Sequence, residues 1–249
     1  MSSAPLTGEF DNLNKLAADY DDSKFDLLMR GYMLRTLDPW LPKQGKALEL
    51  GCGQGWFTVV LAERYQDLAV VDAASEFLEI TRKRVGNRPK FHQSLFEEFD
   101  TTDRFDAIFI MHVLEHLIDP VDVLRRVSRL LAPGGKFFLV VPNGNAVSRQ
   151  IAVKMGLIKH RAALTDADIK HGHRRVYFLD TLEREALDAG LSITHSGGVF
   201  FKPLANFQFD GILGSPFLSH EYMEGCYQLG KEYPNLCASI FVIAEAGKA

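Results

Sequence analysis

The sequence has few cysteines, no long apolar run and no strong excess of charge of either sign. Its three cysteines, among 249 residues, are odd in number and lack zinc-ligand spacing, so neither a disulfide framework nor a cysteine zinc site is predicted. The net charge of -4 disfavours a broad nucleic-acid-binding surface. The strongly apolar stretches, such as residues 137–141, are far too short to span a membrane. We therefore expect neither nucleic acid nor a membrane as a partner.

The first dozen residues also lack the basic start and apolar core of a secretory signal peptide, which favours a reducing, cytoplasmic setting. Apolar residues make up 47% of the chain and charged residues 24%, the usual balance of a globular protein. A chain of this length can bury the core of one large domain. The composition thus excludes a disordered, collagen-like or repeat-dominated chain, and it specifies no activity.

Short apolar segments alternate with amphipathic segments through much of the chain. The apolar segments are rich in Val, Ile and Phe, which is typical of strands in a sheet covered on both faces. The amphipathic segments have helical spacing, and Pro120 after Asp119 marks the start of one helix. The alternation predicts an α/β fold with a doubly wound, Rossmann-like and mostly parallel sheet. The seven predicted strands are 46–50, 68–72, 90–93, 106–111, 136–141, 191–194 and 239–244, and the predicted helices include 56–65, 75–85, 120–131 and 180–190.

Two regions fall outside this alternation. Residues 1–42 are predicted to be helical and to form an N-terminal lid, in which Tyr20, Phe25 and Arg30 are available to close over a ligand. Residues 143–179 have no clear strand and are rich in His, Lys and Arg. We expect them to form a cap within the main domain, residues 43–249, at the sheet edge where open α/β sheets bind ligands.

A glycine-rich loop follows the first predicted strand and precedes a helix. Gly51, Gly53 and Gly55 permit a sharp turn and let a ligand approach the backbone. Asp72 ends the second strand, where a carboxylate can accept hydrogen bonds from two ribose hydroxyls. The glycines are spaced G-x-G-x-G, and Trp56 stands where the dinucleotide fingerprint has its third glycine. The sequence therefore predicts a nucleotide-like cofactor and disfavours a nicotinamide-dependent dehydrogenase.

The run E-L-G-C-G-Q-G at 49–55 resembles motif I of the class I S-adenosylmethionine-dependent methyltransferases. The resemblance extends to Val71-Asp72, to residues 105–107 and to residues 131–136. The run L-E-H at 114–116, followed by Asp-Pro at 119–120, resembles the small-molecule branch that includes the ubiquinone-biosynthesis O-methyltransferases. The resemblance implies S-adenosylmethionine as cofactor, S-adenosylhomocysteine as its product and a small-molecule acceptor.

The same resemblance implies roles for individual residues. The glycines would approach the methionine part of the cofactor, Glu49 would organise the loop, and Asp72 would hold the ribose. Related enzymes often carry an acidic residue after the third strand for the adenine amino group; here the positions hold Ser94 and Leu95, so a main-chain amide and apolar packing are expected instead. The implied cofactor-binding residues are Glu49, Gly51, Cys52, Gly53, Gly55, Asp72, Ala73, Ser94, Leu95, Met111 and His112.

Histidines supply the candidate catalytic residues. A histidine titrates near neutral pH and can take the proton of a hydroxyl acceptor. His116 after the fourth strand and His173 in the cap are the first choices for this base, with His112 and then His171 behind them. If the acceptor is an amine or a carbon, the histidines only position it. Alternatively, His116 and its neighbour Glu115 fix the loop through backbone hydrogen bonds.

Cationic side chains supply the candidate acceptor-binding residues. These are His171, Arg174 and Arg175 in the cap, and Lys202, which we expect to point into the same crevice as Asn206. Because the planar guanidinium group suits a carboxylate or a phosphate, an anionic acceptor is predicted. No acidic cluster with metal-ligand spacing is apparent, so no metal site is predicted.

The predicted function is methyl transfer from S-adenosylmethionine to a hydroxyl, or an amine, of a small anionic metabolite or biosynthetic intermediate. A cofactor-binding protein without turnover is one alternative. Methylation of RNA or protein is another, and it is disfavoured by the acidic balance and by the lack of an Asn/Asp-Pro-Pro-Tyr motif.

Overall fold

The computed structural model describes residues 8–18 and 23–247, and one seven-stranded sheet lies at its centre. In chain order the strands are β1 Lys46–Leu50, β2 Asp67–Asp72, β3 Lys90–Gln93, β4 Phe105–Met111, β5 Leu131–Pro142, β6 Leu191–Phe201 and β7 Cys237–Ala246. Their spatial order is β3-β2-β1-β4-β5-β7-β6. The first five strands pair in parallel, and β7 pairs antiparallel with both β5 and β6. The sheet is therefore mostly parallel, as predicted.

Helices cover both faces of the sheet. One face packs against a cluster that includes Phe25, Phe57 and Tyr227, and the other against a cluster that includes Val123 and Leu182. None of the helices in the described ranges is long and apolar enough to cross a membrane. The helices are α1 Glu9–Ala18, α2 Lys24–Leu37, α3 Trp56–Arg64, α4 Ser75–Val85, α5 Pro120–Ser128, α6 Val147–Lys154, α7 Asp166–Lys170, α8 Leu179–Asp188, α9 Asn206–Ile212 and α10 His220–Glu232, with 3₁₀ turns at Asp38–Trp40, Leu114–His116 and Pro234–Leu236.

The strand β4 shows why the strand sequences read as almost continuously apolar. Side chains alternate between the two faces of a strand, and here Phe109 joins one apolar cluster while Ile108 and Ile110 join the other. Both faces of the sheet are covered by helices and excluded from solvent, so the side chains on both faces are apolar. At the start of α5 the Asp119 side chain accepts the amide of Asp122 at 3.0 Å, and Pro120 occupies the first turn, as predicted.

Several element ends differ from the prediction. The helix α5 ends at Ser128, and the Pro-Gly-Gly run at 133–135 lies within β5 rather than at the end of a helix. A bulge accommodates it, since the register shifts between the pairs Phe105–Leu131 and Ala107–Lys136. The strand β6 continues to Phe201, well past the predicted 191–194, because it pairs along the whole of β7.

Two regions lie over the carboxyl ends of the parallel strands. In the N-terminal region, α1 contacts the start of α4, where the Asn14 side chain accepts the amide of Ser75 at 3.1 Å. Tyr20 lies outside the described residues. Residues 143–179 contain α6 and α7 and, among the described residues, one isolated parallel bridge between Asn143 and Tyr177. Both regions thus border the sheet edge at which the glycine loop lies.

Candidate functional site

A pocket opens at the carboxyl ends of β1, β2 and β4, and we call it the cofactor pocket. The glycine loop forms one wall of it. Gly51 has a φ of +80° and no room for a side chain, since an added Cβ would lie 2.4 Å from Cγ2 of Val113. Gly53 also has a positive φ, of +48°, but faces open space on the pocket side. The loop thus packs tightly against Val113 at Gly51 and leaves its backbone at Gly53 accessible to a ligand in the pocket.

Asp72 connects the end of β2 to this loop. One carboxylate oxygen accepts the amide of Cys52 at 3.0 Å, and the other accepts the amide of Ala74 at 2.9 Å. Burial raises the pKa of Asp72, while these two amides counteract the increase. A carboxylate has about four lone-pair positions, so the group that lines the pocket can still accept ligand hydroxyls.

Glu49 presents a buried carboxylate to the same pocket. Its Oε2 atom has no hydrogen-bond partner among the described residues. Burial raises the pKa of Glu49 to about 8, although Thr58 counteracts this. A buried carboxyl oxygen without a partner is costly, and a cationic ligand group would satisfy it. The ammonium group of S-adenosylmethionine provides such a cation, so the site fits the predicted cofactor.

Beyond Asp72, the cofactor pocket is lined by apolar side chains together with the carboxylates of Glu9 and Glu97. Ala73 and Leu95 line it as predicted. The Ser94 hydroxyl instead donates to the carbonyl of Leu95 at 2.8 Å, and Ser94 lies outside the pocket lining. Glu97 also lines the pocket and is half-buried, and the sequence analysis did not predict it. Burial raises the pKa of Glu97, and the nearby carboxylate of Glu9 raises it further. The sequence signal that could have identified it is a carboxylate three residues after Ser94, the position at which related enzymes carry an acidic residue.

A second pocket adjoins the first on the side of the cap, and we call it the acceptor pocket. Six residues line both pockets and so form the boundary between them, namely Arg30, Phe57, Met111, His112, His116 and His171. The acceptor pocket has apolar walls from α2 and α3 and polar walls from the cap. Residues that line it include Phe25, Met29, Met33, Phe57, Glu115, Arg149, Asp168, His171, His173, Lys202, Asn206 and Ser239.

His112 and His116 are two of the three histidines that line both pockets, and both are partly buried. His112 adopts a left-handed conformation with a φ of +56°, and its Nε2 lies 3.0 Å from the hydroxyl of Ser239. Burial, with a smaller contribution from Arg30, lowers the pKa of His112 to about 3. Burial also lowers the pKa of His116 to about 3, with a contribution from His173. Both imidazoles are consequently weak bases.

His173 differs from them because it has a carboxylate partner. Its Nδ1 lies 3.4 Å from Oδ1 of Asp168. Burial lowers the pKa of His173, but Asp168 and Glu115 outweigh burial and raise it above the usual value. Burial conversely raises the pKa of Asp168, but hydrogen bonds from His173 and Thr165 outweigh it and hold that pKa well below its usual range. The pair is an ionisable dyad on the wall of the acceptor pocket.

Glu115 is fully buried beside this dyad. Neither carboxylate oxygen has a hydrogen-bond partner in the described part of the chain, whereas the backbone carbonyl of Glu115 accepts the amide of Arg174 at 2.8 Å. Burial raises the pKa of Glu115 to about 7. Single ligand atoms of Glu115, His116 and His173 lie within 4.8 Å of one another, close enough to share one metal ion. The sequence analysis anticipated no such group, because the two segments meet only in the fold.

The predicted acceptor-binding residues divide into two sets. His171 and Lys202 line the acceptor pocket. Lys202 Nζ donates to Oδ1 of Asn206 at 2.7 Å, and burial lowers the pKa of Lys202 to about 8. Arg149, which the sequence analysis missed, lines the same pocket from α6. Its guanidinium group lies 3.3 Å from Asp168.

Arg174 and Arg175 are placed differently from the prediction. Arg174 Nε donates to the carbonyl of His116 at 2.7 Å, and its Nη2 pairs with Glu9 at 2.8 Å. Arg175 donates to the carbonyls of Leu117 and Ile118. Neither side chain lines the acceptor pocket as the structure describes it. The two arginines hold the segment after β4 in place, so the expectation that they contact the acceptor is not supported.

Comparisons with known proteins agree with this geometry. Residues 22–196 match the family model described as a methyltransferase domain. The ubiquinone biosynthesis O-methyltransferase of Aeromonas salmonicida is 30% identical over 168 residues, which span 65% of this chain and 68% of that protein. The same-named protein of Xanthomonas oryzae pv. oryzae is 29% identical over 148 residues, which span 57% and 55%.

Solved structures show the same fold at lower identity. The N-methyltransferase NodS from Bradyrhizobium japonicum WM9, in complex with S-adenosylhomocysteine, superposes with a TM-score of 0.59 at 16% identity, over 96% of this chain and 98% of that one. Phosphoethanolamine N-methyltransferase 2 of Haemonchus contortus, in complex with S-adenosylmethionine, gives a TM-score of 0.62 at 15% identity, over 95% and 60%.

Proposed function

The chain belongs to the methyltransferase family and uses S-adenosylmethionine as its cofactor, and from this premise we propose that it methylates a hydroxyl group of a small anionic acceptor. The observation that supports this most is the acceptor pocket, which meets the cofactor pocket at Met111 and His112. That pocket combines a dyad that can exchange a proton, His173 with Asp168, and the cation of Lys202.

The residues of the cofactor pocket suit the groups of S-adenosylmethionine, which supplies a methyl group activated by its sulfonium when bound. Glu49 would bind the ammonium group, and Asp72 would accept the ribose hydroxyls. Glu97 would accept the amino group of the adenine, in place of the acidic residue missing at Ser94. Loss of the methyl group leaves S-adenosylhomocysteine as the product.

Residues of α1 support the proposed lid. Glu9, Leu13 and Leu16 line the cofactor pocket, and Arg30 of α2 lines both pockets. A helix that packs over the cofactor excludes water from the reacting groups. We assign the N-terminal region, residues 1–42, to this role, and the cap, residues 143–179, to covering the acceptor.

His173 is the best candidate for the base. A base is most effective when its pKa lies near the working pH, and burial lowers the pKa values of His112 and His116 far below neutrality. The carboxylate of Asp168 keeps His173 basic. The curated relatives named above are O-methyltransferases, which favours a hydroxyl acceptor over an amine.

Lys202 is the best candidate for the anion partner. Its ammonium group has three donors, and the hydrogen bond to Asn206 uses one of them. Burial disfavours the charge of Lys202, Asp26 partly counteracts this, and the charge of an anionic acceptor would stabilise the ammonium form further. The nearby apolar side chains Phe25, Met29 and Phe57 favour an acceptor with an apolar or aromatic body.

The proposal is tested with S-adenosylmethionine carrying a labelled methyl group. The acceptor panel consists of hydroxylated aromatic and aliphatic carboxylic acids, each with its neutral methyl ester and its amino analogue. We expect label on the hydroxy acids and little on the esters. Label on the esters alone would refute the anionic acceptor, and label on the amines alone would refute the hydroxyl. Cofactor binding by calorimetry with no label across the panel would favour a cofactor-binding protein without turnover.

A further inference from the structure

Asp168 of α7 is held by hydrogen bonds at its Oδ2 atom and at its backbone amide. Its Oδ2 accepts the amide of Thr165 at 2.8 Å and lies 3.3 Å from Nη1 of Arg149. The amide of Asp168 donates to the Thr165 hydroxyl at 3.1 Å, which completes a capping box. Arg149 is itself anchored, since its Nε donates to the carbonyl of Arg161 at 2.8 Å. The carboxylate therefore cannot rotate without losing its two bonds to Oδ2, from Thr165 and from Arg149.

This arrangement leaves Oδ1 for one partner, the imidazole of His173. The Nδ1 atom of His173 lies 3.4 Å from Oδ1, and the amide of His173 donates to the carbonyl of Asp168 at 2.9 Å. The His173 ring is edge-to-face with His116 at 4.8 Å. Side chain and backbone thus fix the ring from the Nδ1 side, which leaves Nε2 directed away from Asp168.

The partner of one ring nitrogen determines which nitrogen of a neutral imidazole carries the proton. A carboxylate can only accept, so it requires the proton on Nδ1. The lone pair is then on Nε2, and a lone pair is what a base needs. The groups close to the ring are Asp168, Glu115, His116, His171 and Arg149.

We propose that Asp168 is a positioning residue, which keeps the proton of neutral His173 on Nδ1 and its Nε2 available to the acceptor pocket. The consequence of this for the reaction rests on the proposed role of His173 as the base. The cap then does more than cover the acceptor, because α7 and the arginine of α6 determine the orientation and tautomer of the imidazole.

The variant Asp168→Asn tests this without removing the helix cap. Thr165 and Arg149 donate to the Oδ2 side, so the amide oxygen of the new side chain takes that side and its NH₂ group faces His173. An NH₂ group donates, so Nδ1 must now accept and the proton moves to Nε2. The ¹⁵N chemical shifts of the His173 imidazole, measured at alkaline pH where the ring is neutral, report which nitrogen is protonated.

We expect a protonated Nδ1 in the wild type and a protonated Nε2 in Asp168→Asn. The matched control is Asp166→Asn, which makes the same change on the same helix at an exposed position outside the pocket lining. A second control, Thr165→Ala, weakens the cap of α7 but keeps the carboxylate, so Nδ1 should stay protonated while amide exchange of α7 accelerates. An unchanged tautomer in a folded Asp168→Asn variant would overturn the inference, as would the same change in Asp166→Asn.

The proposed function is tested separately by turnover with an acceptor from the panel above. We expect Asp168→Asn to lower kcat by roughly tenfold to a hundredfold, within the contribution of a general base, with the Kd of the cofactor unchanged. A switched tautomer with unchanged kcat would support the role of Asp168 and refute His173 as the base. The two failures are therefore distinguishable.

Discussion

The two adjoining pockets are built from different parts of the protein. The cofactor pocket is formed largely by the ends of parallel strands and the loops that follow them, and its glycine loop offers backbone to the ligand. The acceptor pocket is formed by side chains from α2, the cap, the segment after β6 and the start of β7. A sheet holds its strand ends in a fixed register, whereas side chains on separate helices can be exchanged without moving the sheet. The cofactor pocket is thus suited to a ligand shared by many enzymes of this fold, and the acceptor pocket to a ligand that differs from one enzyme to the next.

The strongest test of this division is His173→Gln. If the two pockets act separately, kcat falls by roughly 10²- to 10⁴-fold, because the base is lost, while the Kd of the cofactor is unchanged. The control is His160→Gln, since His160 is an exposed cap histidine outside both pocket linings. Turnover and calorimetry measure the two quantities. Unchanged kcat, together with a large loss in His116→Gln, would move the base to the segment after β4.

Lys202→Met should give the next largest effect. A charge-assisted hydrogen bond contributes about 1.5–3 kcal/mol, so KM for an anionic acceptor should rise roughly 10-fold to 150-fold, and KM for its neutral ester should not. Lys154→Met, at an exposed position on α6, is the control. An equal rise in KM for acid and ester would mean that Lys202 has a packing role only.

The charge of Lys202 also predicts a pH dependence. Burial lowers the pKa of Lys202 to about 8, so the ammonium form is present below that pH and is lost as the pH rises through it. KM for an anionic acceptor should therefore rise above about pH 8 in the wild type. In Lys202→Met this rise should be absent.

Glu97→Ala should give the smallest effect, and this effect should be on cofactor binding, because Glu97 lines the cofactor pocket. The carboxylate is only half-buried, so we expect the Kd of the cofactor to rise by about threefold to tenfold, with KM for the acceptor unchanged. Glu98→Ala is the control, because the neighbouring side chain is exposed and outside the pocket lining. An analogue of S-adenosylhomocysteine with hydrogen in place of the adenine amino group offers no donor to the carboxylate, so its Kd should be equal in wild type and variant. A loss of affinity for that analogue as well would contradict the contact.

The sequence predicted the parts of the site whose groups lie close together along the chain, and it missed those whose groups lie far apart. The glycine loop and Asp72 belong to one strand–loop–helix–strand unit, so their juxtaposition followed from local pattern alone. Glu97 was missed because the chain turns between residues 95 and 99, where the amide of Phe99 donates to the carbonyl of Leu95, and this turn carries the carboxylate to the pocket.

The cap shows the opposite case. The sequence showed that the cap is rich in cations, but not which of them line the pocket. Arg174 and Arg175 donate to carbonyls of the segment after β4. Arg149 and Asp168 line the acceptor pocket instead. Which face of an irregular segment points inward depends on its contacts with other elements, and no periodicity records it. The length of β6 was underestimated for a related reason, since its polar stretch at 194–198 is kept in the strand by pairing with β7.

By itself, the sequence determined the α/β alternation, the glycine loop and the position of Asp72, because strand periodicity, turn chemistry and spacing act over short distances along the chain. The identity of the cofactor came from the resemblance of these motifs to those of the class I methyltransferases. Only the tertiary structure decided that Asp168 lies beside His173, that the Glu115 carboxylate is buried with no hydrogen-bond partner among the described residues, and that Lys202 lies on the wall of the acceptor pocket. The physical reason is that burial and long-range pairing set these charges and pKa values, and both depend on elements that meet only when the chain has folded.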